Sequence, residues 1–218
     1  MTVSHILGYP RIGAQRELKK VTEAYWTGDV SRDELEAAGQ ALRLTHWQTQ
    51  QAAGLDMVSV GDFAFYDQVL NVSVMLGAVP KRFNAQDEVN AGRVDLDTAF
   101  RMARGRAPSG TPAAACEMTK YFDTNYHYLV PELHPGQTFT LASTRLFDEV
   151  DEALKAGFTP KVTLTGPLTW LWLGKTKGSD FNRLELLDSV LDVYSETLSR
   201  LATQGIEWVQ LDEPALVQ

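Results

Sequence analysis

The sequence predicts an α/β protein of the (β/α)8 TIM-barrel type, with about five of the eight strands of a closed barrel present. Three observations carry this expectation. Short apolar runs alternate with amphipathic stretches in the order strand, helices, strand, helices. Polar residues gather directly after the predicted strands: Arg11, Asp62, Thr165 and Asp212. The last predicted strand, 207–212, has no helix after it and would leave a parallel edge open, so the chain is expected to be an incomplete barrel and a piece of a longer protein.

Taken in order, residues 7–9 read as a short strand that breaks at Pro10 and Gly13. A helix is expected from about Arg16 to Trp26, with Leu18, Val21 and Tyr25 as its apolar stripe and Gly28 as its stop. Ser31 and Glu34 have capping-box spacing and open a helix that runs to about Ala53. Residues 55–61 form the next strand, followed by an apolar helix that Gly77 and Pro80 end near Leu76. Residues 80–90 read as a surface loop, 96–104 as a helix and 105–111 as a loop rich in Gly, Pro and Ser. The stretch 113–125 takes no assignment, and 126–133 reads as a strand. A helix over 144–156, a strand over 161–167, a helix over 181–203 and a strand over 207–212 complete the chain. The 181–203 helix has the clearest periodicity: Leu184, Leu187, Leu191, Tyr194, Leu198 and Leu201 alternate three- and four-residue steps.

Composition narrows the functional classes. The chain has 218 residues, a net charge of −8 and 44% hydrophobic residues, which suits one folded domain or part of a larger one. The acidic balance argues against a general nucleic-acid binder. The single cysteine, Cys116, excludes an internal disulfide framework and a multi-cysteine zinc site. A reducing, cytoplasmic compartment is the simplest reading. The longest apolar run, 168–173, falls far short of the ~20 residues of a membrane span. The histidines are too scattered for a metal signature, and there is neither a phosphate loop nor a dinucleotide fingerprint.

Against the acidic background, residues 7–20 stand out. Arg11, Arg16, Lys19 and Lys20 face one local acid, Glu17, where a strand gives way to a helix. Arg16 and Lys19 are three residues apart and share one side of the helix, opposite the apolar stripe. Two cations at a helix start can hold carboxylates or phosphates, and the same spacing equally suits a solvated charged face. Residues 117–128 mix aromatics with Glu, Lys, Asn, Asp and His and suit either a pocket for a flat ring or an aromatic packing patch. His46 and His127 read as ordinary core or surface histidines, and Asp212 and Glu213 point to opposite faces of a strand.

Taken as a set, several segments carry a resemblance. They are LGYPRIG (7–13), RELK (16–19), VGDFAFYD (60–67), GRAP (105–108), EMTK (117–120), NYHY (125–128), LTGPLTWLWLG (164–174) and GIEWVQLDEPAL (205–216). The chain resembles the amino-terminal part of cobalamin-independent methionine synthase, whose two (β/α) barrels are related by duplication. The resemblance implies transfer of the methyl group of 5-methyltetrahydropteroyltriglutamate to homocysteine, giving methionine without cobalamin. It implies a zinc ion that activates the homocysteine thiol, with ligands in a carboxy-terminal barrel absent from this chain. It implies no catalytic or metal-binding residue among 1–218, which would form a partial amino-terminal barrel, inactive alone.

Residue by residue, Arg16, Glu17, Leu18 and Lys19 match the family's segment at the folate triglutamate site, and Lys120 matches a second contact there. A triglutamate tail is a polyanion, so cations at a helix start suit it. Thr165 to Pro167 and Asp212 to Pro214 match counterparts in the catalytic barrel and read here as inherited framework. Two other classes stay open: a related single-barrel enzyme, either a corrinoid-dependent methyltransferase or a uroporphyrinogen decarboxylase relative, and a non-catalytic folate-binding module. The RELK and EMTK segments and the missing zinc ligands count against the single-barrel enzyme.

Overall fold

A computed structural model describes residues 2–218. In chain order it contains helices α1 (Glu17–Thr27) and α2 (Arg32–Ala52), strand β1 (Val58–Val60), and helices α3 (Gln68–Met75), α4 (Gln86–Asn90) and α5 (Leu96–Arg104). Strands β2 (Met118–Lys120), β3 (His127–Leu129) and β4 (Glu132–Leu133) follow, then helix α6 (Arg145–Lys155) and strand β5 (Pro160–Thr165). Helix α7 (Pro167–Leu173), strand β6 (Lys175–Thr176), helix α8 (Leu187–Thr203) and strand β7 (Val209–Asp212) complete the order. Single 3₁₀ turns occupy Lys81–Phe83, Arg183–Leu186 and Pro214–Val217.

The fold is mixed α/β, with parallel strands. One sheet has the order β1-β5-β7. Val58 pairs with Pro160 and Val60 with Val162 in parallel register. The bonds from Val162 N–H to Trp208 O and from Gly166 N–H to Asp212 O step the same way along both strands, so β7 also runs parallel to β5. Every residue of β5 is buried, as expected of a strand covered on both faces.

Several expectations need correction. Residues 7–9 form no strand: the carbonyls of Ile6 and Leu7 are taken by the side chains of Lys161 (2.6 Å) and Gln210 (3.1 Å) instead of a neighbouring backbone. The 126–133 strand is two short strands separated at Val130 and Pro131, and proline supplies no N–H to a ladder. β3 pairs antiparallel with β2, and β4 pairs parallel with β6. The main parallel sheet therefore holds three strands, not five. The 80–90 loop contains a 3₁₀ turn and α4, and the apolar run 168–173 belongs to α7.

The chain divides into two compact units. The first comprises the segments up to Phe65, Arg145–Leu164 and Gln204–Gln210. Its α2 starts with the expected capping box: Ser31 Oγ accepts the Glu34 N–H at 3.2 Å, and the Glu34 carboxylate accepts the Ser31 N–H at 2.7 Å. Its core gathers Leu18, Leu35, Trp47, Val60, Phe147, Val150 and Val162. Arg43 of α2 forms a two-bond pair with Glu152 of α6, at 2.9 and 2.8 Å, and lies 3.7 Å from buried Glu149. Gly61 closes β1 at φ 87, where a Cβ would lie 2.8 Å from both Thr163 O and Leu146 Cδ1, so only glycine turns the chain there.

The second unit comprises Tyr66–Thr144, Thr165–Thr203 and Leu211–Gln218. Its core is built on Val69, Val72, Leu76, Leu133, Trp170 and Val190. The indole N–H of Trp170 donates to Ser73 Oγ at 3.0 Å, so the largest buried side chain leaves no polar atom unmet. The start of α7 is satisfied by Glu213, whose carboxylate accepts the N–H groups of Leu168 and Thr169 at 2.9 and 2.7 Å.

Candidate functional site

The first unit carries most of the predicted site. Helix α1 begins without a side-chain cap, because its N-cap residue is Arg16 in the left-handed region, φ 62 and ψ 37. A non-glycine residue there is uncommon and is held by its surroundings. The Arg16 N–H donates to Gly13 O at 3.2 Å, Leu18 N–H to Ile12 O at 3.2 Å, and Lys20 N–H to Arg16 O at 3.1 Å. These bonds draw residues 12–16 into a tight turn before the helix.

The four predicted residues of this segment divide by environment. Arg16 and Lys19 are exposed. Lys19 forms a 3.4 Å pair with Glu23, both about half exposed, which is worth about 0.3–0.5 kcal/mol and leaves the ammonium accessible. Glu17 is exposed but folds back: its carboxylate accepts the Gln15 N–H at 2.9 Å. Bonds from its own N–H and that of Gln15 hold the Glu17 carboxyl below its usual range. Leu18 is 2% exposed, so it belongs to the core, and its N–H is taken by Ile12 O.

The segment before the turn is pinned to the unit at several points. Ser4 N–H and Oγ–H both donate to Asp56 at 2.7 Å. Lys161 Nζ, on β5, donates to Ile6 O at 2.6 Å and to Gln210 Oε1 at 2.5 Å. Tyr9 N–H donates to Asp62 Oδ2 at 2.6 Å, and the Tyr9 ring lies 4.6 Å from the His46 ring. Beneath Tyr9 is a small cleft lined by Arg11, Arg43, His46, Asp62 and Glu149, with about 10 Å³ open to the centre of a water molecule. That is room for one water, not for a substrate. Burial holds His46 below its usual pKa, while Asp62 and Glu17 pull it back up.

Lys120, the fifth predicted residue, belongs to the second unit, where it ends β2 and pairs across the ladder with His127. It is exposed. The next residue, Tyr121, is the hub of an edge-to-face group with Phe122, Tyr126 and Tyr128 at 4.8, 5.8 and 6.0 Å. Burial, with Asp212 and Glu213 nearby, pushes the Tyr121 hydroxyl up to about 12. The aromatic stretch is thus a packed cluster with one exposed cation at its edge.

Of the residues singled out after strands, Asp62 binds the amino-terminal segment and Glu213 the start of α7. Thr165 offers its carbonyl to the Tyr194 hydroxyl at 2.5 Å. The sequence reading missed His46 as a partner of Tyr9, since a histidine inside a helix carries no signal of a ring 37 residues earlier. Zinc does not fit the donors present. Among the described residues no group of three or more His, Cys, Asp or Glu could hold a metal. Burial and Glu132 push the Cys116 thiol up to about 12, so it resists becoming a thiolate ligand despite Arg82 beside it.

Comparison with known proteins gives the family. Residues 3–218 match the family described as cobalamin-independent synthase, N-terminal domain. The chain is 60% identical over 218 residues to a 5-methyltetrahydropteroyltriglutamate–homocysteine methyltransferase of Proteus mirabilis (strain HI4320), covering all of this chain and 28% of that one. The protein of the same name from Serratia proteamaculans (strain 568) is 58% identical over 215 residues, 99% of this chain and 28% of that one. The chain thus spans 28% of the length of these curated relatives. A solved B12-independent methionine synthase from Shewanella sp. W3-18-1, in complex with selenomethionine, superposes with a TM-score of 0.58 at 19% identity. It covers 85% of this chain and 44% of that one, a likeness of fold alone.

Proposed function

We propose, since the chain belongs to the cobalamin-independent synthase family as its N-terminal domain, that it is the amino-terminal part of a cytoplasmic methyltransferase. The full protein would move the methyl group of 5-methyltetrahydropteroyltriglutamate to homocysteine, as the relatives' names state for them. Homocysteine and the zinc that activates it would be held by chain outside residues 1–218. The parallel strands β1, β5 and β7 would be part of a (β/α) barrel.

This part would hold the glutamate tail of the folate. The observation that carries the reading is the start of α1. Two exposed cations, Arg16 and Lys19, flank a helix N-terminus whose nearest acid, Glu17, is turned onto the backbone. Helix dipole and side chains then present positive charge outward to a polyanion. Arg16 would give a two-pronged contact to a carboxylate and Lys19 a point charge. Lys120, an exposed cation at the end of β2, would be a further contact, and buried Leu18 would fix the start of α1. No step of the chemistry is assigned to these residues; they bind and orient.

The test is kinetic. In the full-length protein, Arg16→Ala and Lys19→Ala should each raise KM for the triglutamate substrate about tenfold, as expected for one charge-assisted contact. The monoglutamate form should be affected much less. Equal increases for both forms would overturn the tail-binding role.

A further inference from the structure

We infer that Asp62 is a positioning residue for the anion-binding turn at Arg16, acting through Tyr9 and not by touching the ligand. The inference rests on the tail-binding reading above and goes beyond it by assigning what holds that site in shape. Asp62 is 9% exposed, directly after Gly61, whose positive φ and close approach to Thr163 O aim the chain at this point. Its Oδ2 takes the Tyr9 N–H at 2.6 Å, a short, charge-assisted bond spanning 53 residues of sequence. The same oxygen would lie 3.4 Å from a Cβ at Gly8, so the backbone on both sides of the bond is closely approached.

From Tyr9 the chain has only a few residues before Arg16. A left-handed conformation at a bulky residue persists only where the surroundings over-determine it. On the helix side, the buried Leu18 side chain and the Leu18 N–H bond to Ile12 O fix the turn. On the other side, Tyr9 is held by the Asp62 bond and by the contact of its ring with His46. Tyr9, His46 and Asp62 line one small cleft, so the ring contact and the anchor bond lie together. Releasing Tyr9 would let residues 10–16 relax and Arg16 leave its strained conformation. The guanidinium would then lose its fixed direction, although neither Arg16 nor Lys19 had changed.

The experiment is a double-mutant cycle in the full-length protein, read as the ratio of KM for the monoglutamate form to KM for the triglutamate form. Asp62→Ala should lower that ratio roughly tenfold, the scale of one lost hydrogen bond to a charged group. Asp62→Asn keeps an acceptor of the same shape and should recover most of the ratio. In an Arg16→Ala background, Asp62→Ala should change the ratio no further. A role in stability alone would lower Tm in both Asp62 variants and leave the ratio untouched, and that result overturns the inference. If Arg16→Ala lowers the ratio while the Asp62 variants do not, the tail site stands and the positioning role falls. If Arg16→Ala leaves the ratio unchanged, the tail-binding reading itself fails. Should Asp62→Ala not fold, Asp62→Leu, which fills similar space without an acceptor, decides: a ratio equal to that of the unchanged protein also overturns the inference.

Discussion

Arg16 holds a left-handed backbone at the proposed tail-binding turn. An L-residue in the left-handed region costs about 1–2 kcal/mol, while glycine carries an entropic cost of about 0.5–1 kcal/mol in the unfolded chain. Arg16→Gly should therefore raise stability slightly, by no more than about 1 kcal/mol, while removing the guanidinium. Denaturant unfolding checks the first effect; a marked loss of stability would mean that the Arg16 side chain supports the fold. His46 makes a second residue-scale prediction. Its folded pKa lies below the usual 6.5 because burial disfavours the charged ring. The neutral form is favoured in the fold, so this contribution is fully present above pH 6.5 and is lost as pH falls below it. Between pH 7.5 and 5.5 the protein should lose stability more steeply than His46→Gln; equal slopes would refute the burial argument. The cation spacing of Arg16 and Lys19 was legible in the sequence. The left-handed backbone at Arg16 and the inward turn of Glu17 were not, because both depend on hydrogen bonds that spacing does not encode.

Most elements with a strong period or a cap were read correctly from sequence, but the 181–203 helix, with the clearest period, begins at Leu187 after the 3₁₀ turn Arg183–Leu186. The Ser31–Glu34 box opens α2, and α5 and α6 lie within a residue of the expected 96–104 and 144–156. The misses have physical causes. α4 and α7 are only five and seven residues long, too short for a period to accumulate. The 126–133 run has β composition, yet Pro131 divides it. Tertiary partners are harder still: nothing local announces that Arg43, on a polar helix, will pair with Glu152 across 109 residues. That pair, with Glu149 between Arg43 and Arg145, ties α2 to α6 in a nearly closed environment. Removing one member leaves a buried charge uncompensated, so Arg43→Met should destabilise the protein by about 3 kcal/mol. A cost below about 1 kcal/mol in an unfolding titration would mean that water or rearrangement already screens the network.

At the scale of the whole chain, the alternation of strands and helices gave the α/β class, while strand pairing had to come from the structure. Residues 7–9 and 126–133 have strand composition, yet Leu7 is bonded by a side chain of β7 and not by a backbone ladder, and β3 pairs with β2 outside the main parallel sheet. The histidines at 5, 46, 127 and 134 are scattered, and the one thiol is buried beside Glu132. Methyl transfer to a substrate thiol needs that thiol made into a thiolate at an open, electropositive or metal-bound position, and a thiolate ligand to such a metal must itself be accessible and acidic. Cys116 is neither accessible nor acidic, and among the described residues no three donors converge on a metal. Residues 1–218, supplied with zinc, homocysteine and the triglutamate folate, should therefore yield no methionine. The full-length protein under the same conditions should turn over. Methionine formed by residues 1–218 and abolished by Cys116→Ser would show that this thiol or its surroundings take part, and would reassign the chemistry to this part of the protein.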